Sequence, residues 1–421
     1  MKKKILLISL LSGFVFIASL TMVFLLFSKP TNITNDPNAS SSSESSSTET
    51  QIIESPFEKI MGRSSSACIE ISPNPKLTAL PMNKEDIGIF IPLGLVVDAH
   101  VTPIDHAYFS PKDFFSKDRY QYKVYAAADA TLTNIQRRNM PVSDSPDGKA
   151  TDDYRLVFQI SCTYGYYYDL VTKLDDSILS QIEAIPEGGS AGVDVKVKAG
   201  DPIGFVGAQT LDFGTYDANV TLSGLLNPES YIGEAWKIHT TDPVAAFSEE
   251  LQAEIQRHNP RKVAPYGGKI DYDQKGKLVG NYFKTGTNGY SGASRERYWD
   301  GHLSFTYDHY DPTFLVMSMG NYNGTAAQFS VKDNLPNFAE IDINNGLVKY
   351  ELTKREYIRK SGLPYTPTKY YDDITLQKNL SVVGTVLVQV VDDNSIKFEV
   401  FPNKKKTEVS AFTSNAAIYV R

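Results

Sequence analysis

The stretch Val195-Lys-Val-Lys-Ala-Gly-Asp-Pro-Ile-Gly-Phe-Val-Gly207 decides how the first half of this chain reads. It predicts a strand, a Gly-Asp turn and a second short strand closed by glycine. Gly200 supplies the permissive backbone the turn needs, and Gly204 and Gly207 let another segment come close. Upstream, Tyr122-Lys-Val-Tyr-Ala-Ala-Ala-Asp-Ala-Thr-Leu-Thr-Asn-Ile135 reads as strand, turn, strand. Working outward, strands are expected at Gly94–His100, Gln121–Arg138, Tyr154–Leu170, Val193–Lys198 and Ala218–Leu222. These runs are rich in Val, Ile, Tyr and Thr and are bounded by Gly, Pro, Asp and Asn. Short helical turns are expected near Pro111–Ser116 and Leu174–Ile185.

From Pro243 to His258 the period changes. Val244, Phe247, Leu251 and Ile255 fall at helical spacing behind Thr241 or Asp242 as caps, and Asn259-Pro260 ends the run. Strand signals then return at Lys277–Lys284, His302–Tyr307, Phe314–Met319, Ala327–Val331, Leu347–Leu352, Val382–Val391, Ser395–Phe401 and Ala416–Arg421. Such a series predicts an antiparallel β-barrel or sandwich. The fold class is therefore mainly β. The expected division is an anchor over 1–29, a linker over 30–55, a β domain over 56–240, a joining helix over 241–262 and a second β domain over 263–421.

The chain's ends of charge and hydropathy bear on location. Ile5–Phe27 carries no charge and, as a helix, spans about 35 Å, enough for a bilayer core of about 30 Å. Lys2, Lys3 and Lys4 precede it and Lys29 follows, which keeps the N-terminus cytoplasmic and sends the bulk outside. A single retained transmembrane helix is expected rather than a cleaved signal peptide, because the run is longer than a usual signal core. The Ser-rich stretch Pro30–Ser55 reads as a tether. Cys68 and Cys162 form one disulfide or stay as two buried thiols. The net charge of -7 disfavours nucleic acid as a partner.

The order of segments resembles the lysostaphin-type (LytM-like) zinc endopeptidases, whose barrel-sandwich domain carries a His-x3-Asp motif, a strand pair, a Tyr-x-His-Leu segment, a Gly-Asp-x-Ile-Gly turn and a His-x-His strand before Asn-Pro. The corresponding stretches here are His100-Val-Thr-Pro-Ile-Asp105-His106, Val124–Ile135, Tyr167-Tyr168-Asp169-Leu170, Gly200–Gly207, and Thr215-Tyr216-Asp217 leading to Asn227-Pro228. The resemblance covers roughly one domain, about residues 90–230. It implies His100, Asp105 or His106, and Asp217 as the residues that could hold zinc. Asp169 stands where the family has a histidine, and the His-x-His pair is Thr215 and Asp217. A carboxylate cannot replace an imidazole as a proton donor at neutral pH without a large pKa shift. The resemblance thus implies a catalytically degenerate domain, without cofactor, that binds cell-envelope peptide or glycan or a protein partner. The alternatives are an active zinc endopeptidase of cell-wall peptides and an architectural surface protein.

Beside these residues, Tyr108 is a candidate for a ligand cleft next to His100 and His106, weighed against a simple turn, and Tyr168, in the run Tyr164, Tyr166, Tyr167 and Tyr168, for a sugar- or peptide-stacking platform, weighed against ordinary strand packing. Asp271-Tyr-Asp273 resembles the start of a calcium loop, but Lys275 and Tyr282 stand where ligands are needed, so a turn is expected. Asp308-His309-Tyr310-Asp311 also reads as a hairpin turn before Pro312. Trp299 and its aromatic neighbours suit a barrel wall, with an interior filled by side chains.

Overall fold

The computed structural model describes residues 54–63, 76–140, 151–378 and 380–421. The apolar run Ile5–Phe27, Cys68 and the tether through residue 53 lie outside them; Ser55, expected to end the tether, is instead fully buried and caps the helix that follows. Cys162 is disulfide-bonded, and Cys68 is the only other cysteine of the chain. Among the described residues no helix is long and apolar enough to cross a membrane.

The chain is mainly β. In its first half lie β1 (Ile87–Ile91), β2 (Ala107–Pro111), β3 (Tyr122–Tyr125), β4 (Ala130–Met140) and β5 (Thr151–Gln159). They are followed by β6 (Tyr164–Val171), β7 (Lys173–Leu174), β8 (Ser190–Val197), β9 (Pro202–Val206) and β10 (Leu211–Asp217). Seven of these form one sheet in the order β1-β2-β10-β6-β5-β4-β8, and β3-β9-β7 form a second of three strands. The Gly-Asp turn read from the sequence joins β8 to β9, carrying the chain from the larger sheet to the smaller. The space between the sheets is apolar. Phe109, Phe158, Tyr166, Tyr168 and Phe213 pack there with Val124, Ile203 and Val206.

Two expected strands are absent as such. Gly94–His100 is irregular and ends in a turn closed by a Val97–His100 bridge, with Asp98 at φ 46°. Residues 218–222 are also outside any strand, because β10 has already left its ladder at Asp217. The joining helix is shorter than its apolar period. The Asp242 carboxylate accepts from the Val244 and Ala245 N–H groups and makes a turn first, so helix α3 runs only over Glu249–Gln256. Val244, Phe247 and Ile255 still face the same core. The earlier helices are α1 (Pro56–Ile60) and α2 (Asp176–Leu179), the latter inside the expected 174–185 segment.

The second half is a closed antiparallel barrel in the order β11-β12-β13-β14-β15-β18-β19-β20. Its strands are β11 (Gly280–Lys284), β12 (His302–Tyr307), β13 (Leu315–Tyr322), β14 (Thr325–Val331) and β15 (Val348–Lys354), then β18 (Val382–Val390), β19 (Ser395–Pro402) and β20 (Ala417–Val420). A hairpin of β16 (Tyr357–Arg359) and β17 (Ile374–Leu376) is inserted between β15 and β18. Tyr282, Phe305, Met317, Tyr350, Val386 and Phe398 belong to the apolar core that fills the barrel. The inserted segment also reaches the first sheet. Tyr370 N–H donates to the Gly88 carbonyl of β1, and a side chain at Gly88 would meet the Thr368 carbonyl at 2.9 Å.

Candidate functional site: a buried ionic cluster between sheet and barrel

The face of the large sheet turned away from the apolar core is charged. Strand alternation explains which residues reach it. On β10, Asp212, Gly214 and Tyr216 share this face, and they pair with Asp169, Tyr167 and Gly165 of β6. On β2, Tyr108 pairs with Asp212, and His106 precedes the strand. Tyr166, Tyr168 and Phe213 point the other way, into the core. Gly214 leaves room on the charged face. A side chain there would meet the Tyr216 hydroxyl at 2.4 Å and the Tyr167 ring at 2.9 Å. Tyr167 and Tyr216 stack instead, with centroids 5.6 Å apart.

Asp169 is fixed by a bulge. Tyr154 pairs with Val171 and Leu156 with Tyr168, so Asp169 and Leu170 both stand opposite Arg155. Leu170 takes φ 65°, an unusual backbone for a branched side chain. The outcome is that the Asp169 carboxylate accepts from Arg155 Nε at 2.9 Å and from Arg138. Arg138 also bonds Asp153 at 3.2 Å. Burial works to raise the Asp169 pKa, but the two guanidinium groups outweigh it and hold it below the carboxylate norm. Asp153 lacks that second cation, and burial pushes it up to about 6.

His106 sits between two acids. Nδ1 is 3.4 Å from Asp105 and Nε2 is 3.3 Å from Asp212. Burial opposes its charge, yet the two carboxylates win and raise it to about 9. The ring is therefore an imidazolium at neutral pH, with both nitrogens protonated. Asp105 in turn meets Lys237 at 3.7 Å and accepts from the Tyr216 hydroxyl at 3.2 Å. Burial would raise the Asp105 pKa, but Lys237 and then His106 hold it low. His100 lines the same cavity and burial keeps it neutral, with a pKa of about 3.

Three elements close over these groups. The 3-10 segment Pro228–His239 brings Glu234, Trp236 and Lys237. The loop between β11 and β12 brings Tyr290 and Tyr298 from the barrel. Helix α1 places Phe57, fully buried, with Ile60 and Met61 against Tyr167, Tyr216 and Trp236. The cavity that remains is about 20 Å3, room for about one water.

The structure brings His100, Asp105 and His106 together with Asp169 close by. It does not bring Asp217 to them. Asp217 is of the opposite parity to Asp212 on β10 and lines a separate surface hollow with Tyr164, Asn219 and Asp242. Thr215 shares that parity and bonds Thr241. Among the described residues no three His, Cys, Asp or Glu side chains are grouped so that they could hold a metal ion. Tyr108 borders the charged face beside His106, with rings 5.0 Å apart, and packs in a small cluster with Ile104 and Tyr310. Tyr168 is a core residue whose hydroxyl donates to the Tyr125 carbonyl. The sequence reading missed Asp212, Arg138, Arg155 and Lys237. Parity along Leu211–Asp217, counted from Phe213 as a core position, is the signal that finds Asp212.

Comparison with family models, with curated proteins and with solved structures gives no match of any kind.

Proposed function

We propose that this chain is a non-hydrolytic binding protein, tethered by its N-terminal apolar run on the outer side of a membrane. In this reading the first β domain is a degenerate relative of the lysostaphin-type endopeptidases. It serves as a scaffold for binding cell-envelope peptide or glycan or a protein partner. One observation carries the reading: His106 is spent on Asp105 and Asp212. A protonated imidazole has no lone pair for zinc and cannot act as a general base. The other charges are likewise consumed, Asp169 by two arginines and Asp105 by Lys237. A scissile peptide needs far more room than about 20 Å3.

The test uses the full-length chain, purified without chelators. Metal content is measured and the protein is incubated with insoluble cell-wall material. The expected result is no stoichiometric zinc, no released fragments and saturable co-sedimentation with the wall material. Zinc at about one per chain together with fragment release overturns the reading in favour of an active endopeptidase. Absence of any binding favours an architectural role.

A further inference from the structure

A second, open cavity lies away from the ionic cluster, and no local pattern in the chain announces it. A trough of about 780 Å3 runs between the first sheet and the inserted hairpin. That volume falls in the range of ligand sites, which favour domain boundaries. One wall is Ile91, Leu95 and Val97; the other is the hairpin with Leu363 and Tyr365, and Tyr310 lies at its base. Tyr357 stands 5.5 Å from Tyr310 and 5.8 Å from Tyr365, centroid to centroid, so the rings form a continuous aromatic lining.

Two features narrow what fits. The first is charge. Arg355 bonds Asp308 at 2.8 Å, the Tyr357 hydroxyl at 2.6 Å and the Val96 carbonyl at 2.8 Å. Arg359 bonds Asp373 at 2.8 Å. The cations of the walls are thus neutralised within the walls, and His309 beside them is kept neutral by burial. Among the described residues an anionic ligand finds no uncompensated cation there, while Glu356 is the one lining carboxylate without an ion pair.

The second is a strand edge. Four consecutive residues, Glu356, Tyr357, Ile358 and Arg359, line the trough. A strand face would contribute alternate residues only, so the trough follows the edge of β16. The hairpin ladder runs through Gln377 N–H to the Glu356 carbonyl and Lys360 N–H to the Asp373 carbonyl. Pairing of Ile358 with Thr375 continues that series. By the antiparallel rule the N–H groups of Tyr357 and Arg359 and the Tyr357 carbonyl turn outward, away from β17. Among the described residues these three groups have no hydrogen-bond partner.

We infer that this trough binds an extended peptide segment free of acidic side chains that adds as a third strand to the edge of β16 and sets alternate apolar side chains on the tyrosine and aliphatic walls. Strand addition of this kind takes affinity from main-chain hydrogen bonds and selectivity from pockets for alternate side chains. The site shares no residue with the ionic cluster, so this inference goes beyond the degenerate-domain reading and either can fail without the other.

The test is fluorescence anisotropy on the full-length chain with end-blocked hexapeptides alternating Thr with Val, Leu or Tyr. The same peptides N-methylated at alternate amides are the comparators. At least one plain peptide is expected to bind saturably, and its methylated form about tenfold more weakly. Leu363→Asp, at a position 57% exposed, should weaken the plain peptide about tenfold with an unchanged melting temperature. Ile343→Asp, exposed and outside the trough, should leave binding unchanged. The inference is overturned by equal binding of plain and methylated peptides, or by binding indifferent to Leu363→Asp. Binding of neutral chitohexaose without binding of any peptide, or no saturable peptide binding at all, overturns it as well.

Discussion

The barrel and the large sheet bury opposite chemistry. The barrel is packed with Tyr282, Phe305, Met317 and Phe398, whose contacts are non-directional. The covered face of the sheet holds Arg138, Asp153, Arg155, Asp169 and Asp212, each dependent on particular partners. Apolar packing forgives a swap of similar volume. A buried ion pair does not forgive the loss of one member, because the survivor keeps its desolvation cost.

That contrast is tested first by Asp169→Asn, which strands Arg155 without its carboxylate. Stability should fall by about 3–5 kcal/mol in urea unfolding. Met317→Leu in the barrel should cost less than about 1.5 kcal/mol in the same measurement. If the two losses are equal, the distinction between the regions is lost.

The contrast also fixes how stability follows pH. His100, His302 and His309 are held near 3 by burial and stay neutral when folded. Below pH 6.5 the unfolded chain takes up three protons that the folded chain refuses, so stability falls. Asp153 and Asp273, pushed by burial up to about 6, take up protons earlier in the folded state, as do Asp98, Asp212 and Glu234, which burial also raises; these offset part of the loss, while His258, lowered by burial, adds to it. On the alkaline side His106 acts first, and the buried tyrosines, whose ionisation burial opposes, add to the loss only at higher pH. The His106 contribution is complete below pH 6.5 and is lost as the pH rises through about 9. Melting temperature should therefore peak near pH 6.5 and decline on both sides, at about 1.4 kcal/mol per pH unit for each net proton. His106→Gln should flatten the alkaline limb and leave the acid limb in place.

The smallest effect is expected at Asp217→Asn. The side chain accepts only from the Asn219 N–H, a bond that asparagine keeps. Stability should move by less than about 0.5 kcal/mol.

The barrel was the more legible region. Most of its strands are short runs rich in β-branched and aromatic residues between turn residues, and local pairing with sequence neighbours suffices to place most of them. The sheet was harder because its strands are assembled from distant segments. β1 is five residues long with Gly88 inside, and β2 begins directly after the His106 turn, so neither carries a strong local signal. The ionic cluster was legible in its histidines and in Asp105 and Asp169. Asp212 was hidden by parity: a shift of one residue along a strand moves every side chain to the other face. Arg138 and Lys237 lie about 100 residues apart in sequence and meet the same group of acids only through the fold. The β16 edge depends on an insertion whose partners are in the first half of the chain, which no local pattern announces.

The ionic cluster is roofed by residues of both halves, Tyr290 and Tyr298 from the barrel and Trp236 and Lys237 from the connecting segment. Parting the halves would open a roof over charges whose balance depends on staying dry, and would cut the Arg355 bridge to Val96 as well. The sheet and the barrel are thus coupled across a shared roof and are expected to unfold together. Calorimetry would then register one sharp heat-absorption peak for some 350 residues of two architectures, with cleavage in the joining segment bringing both down together.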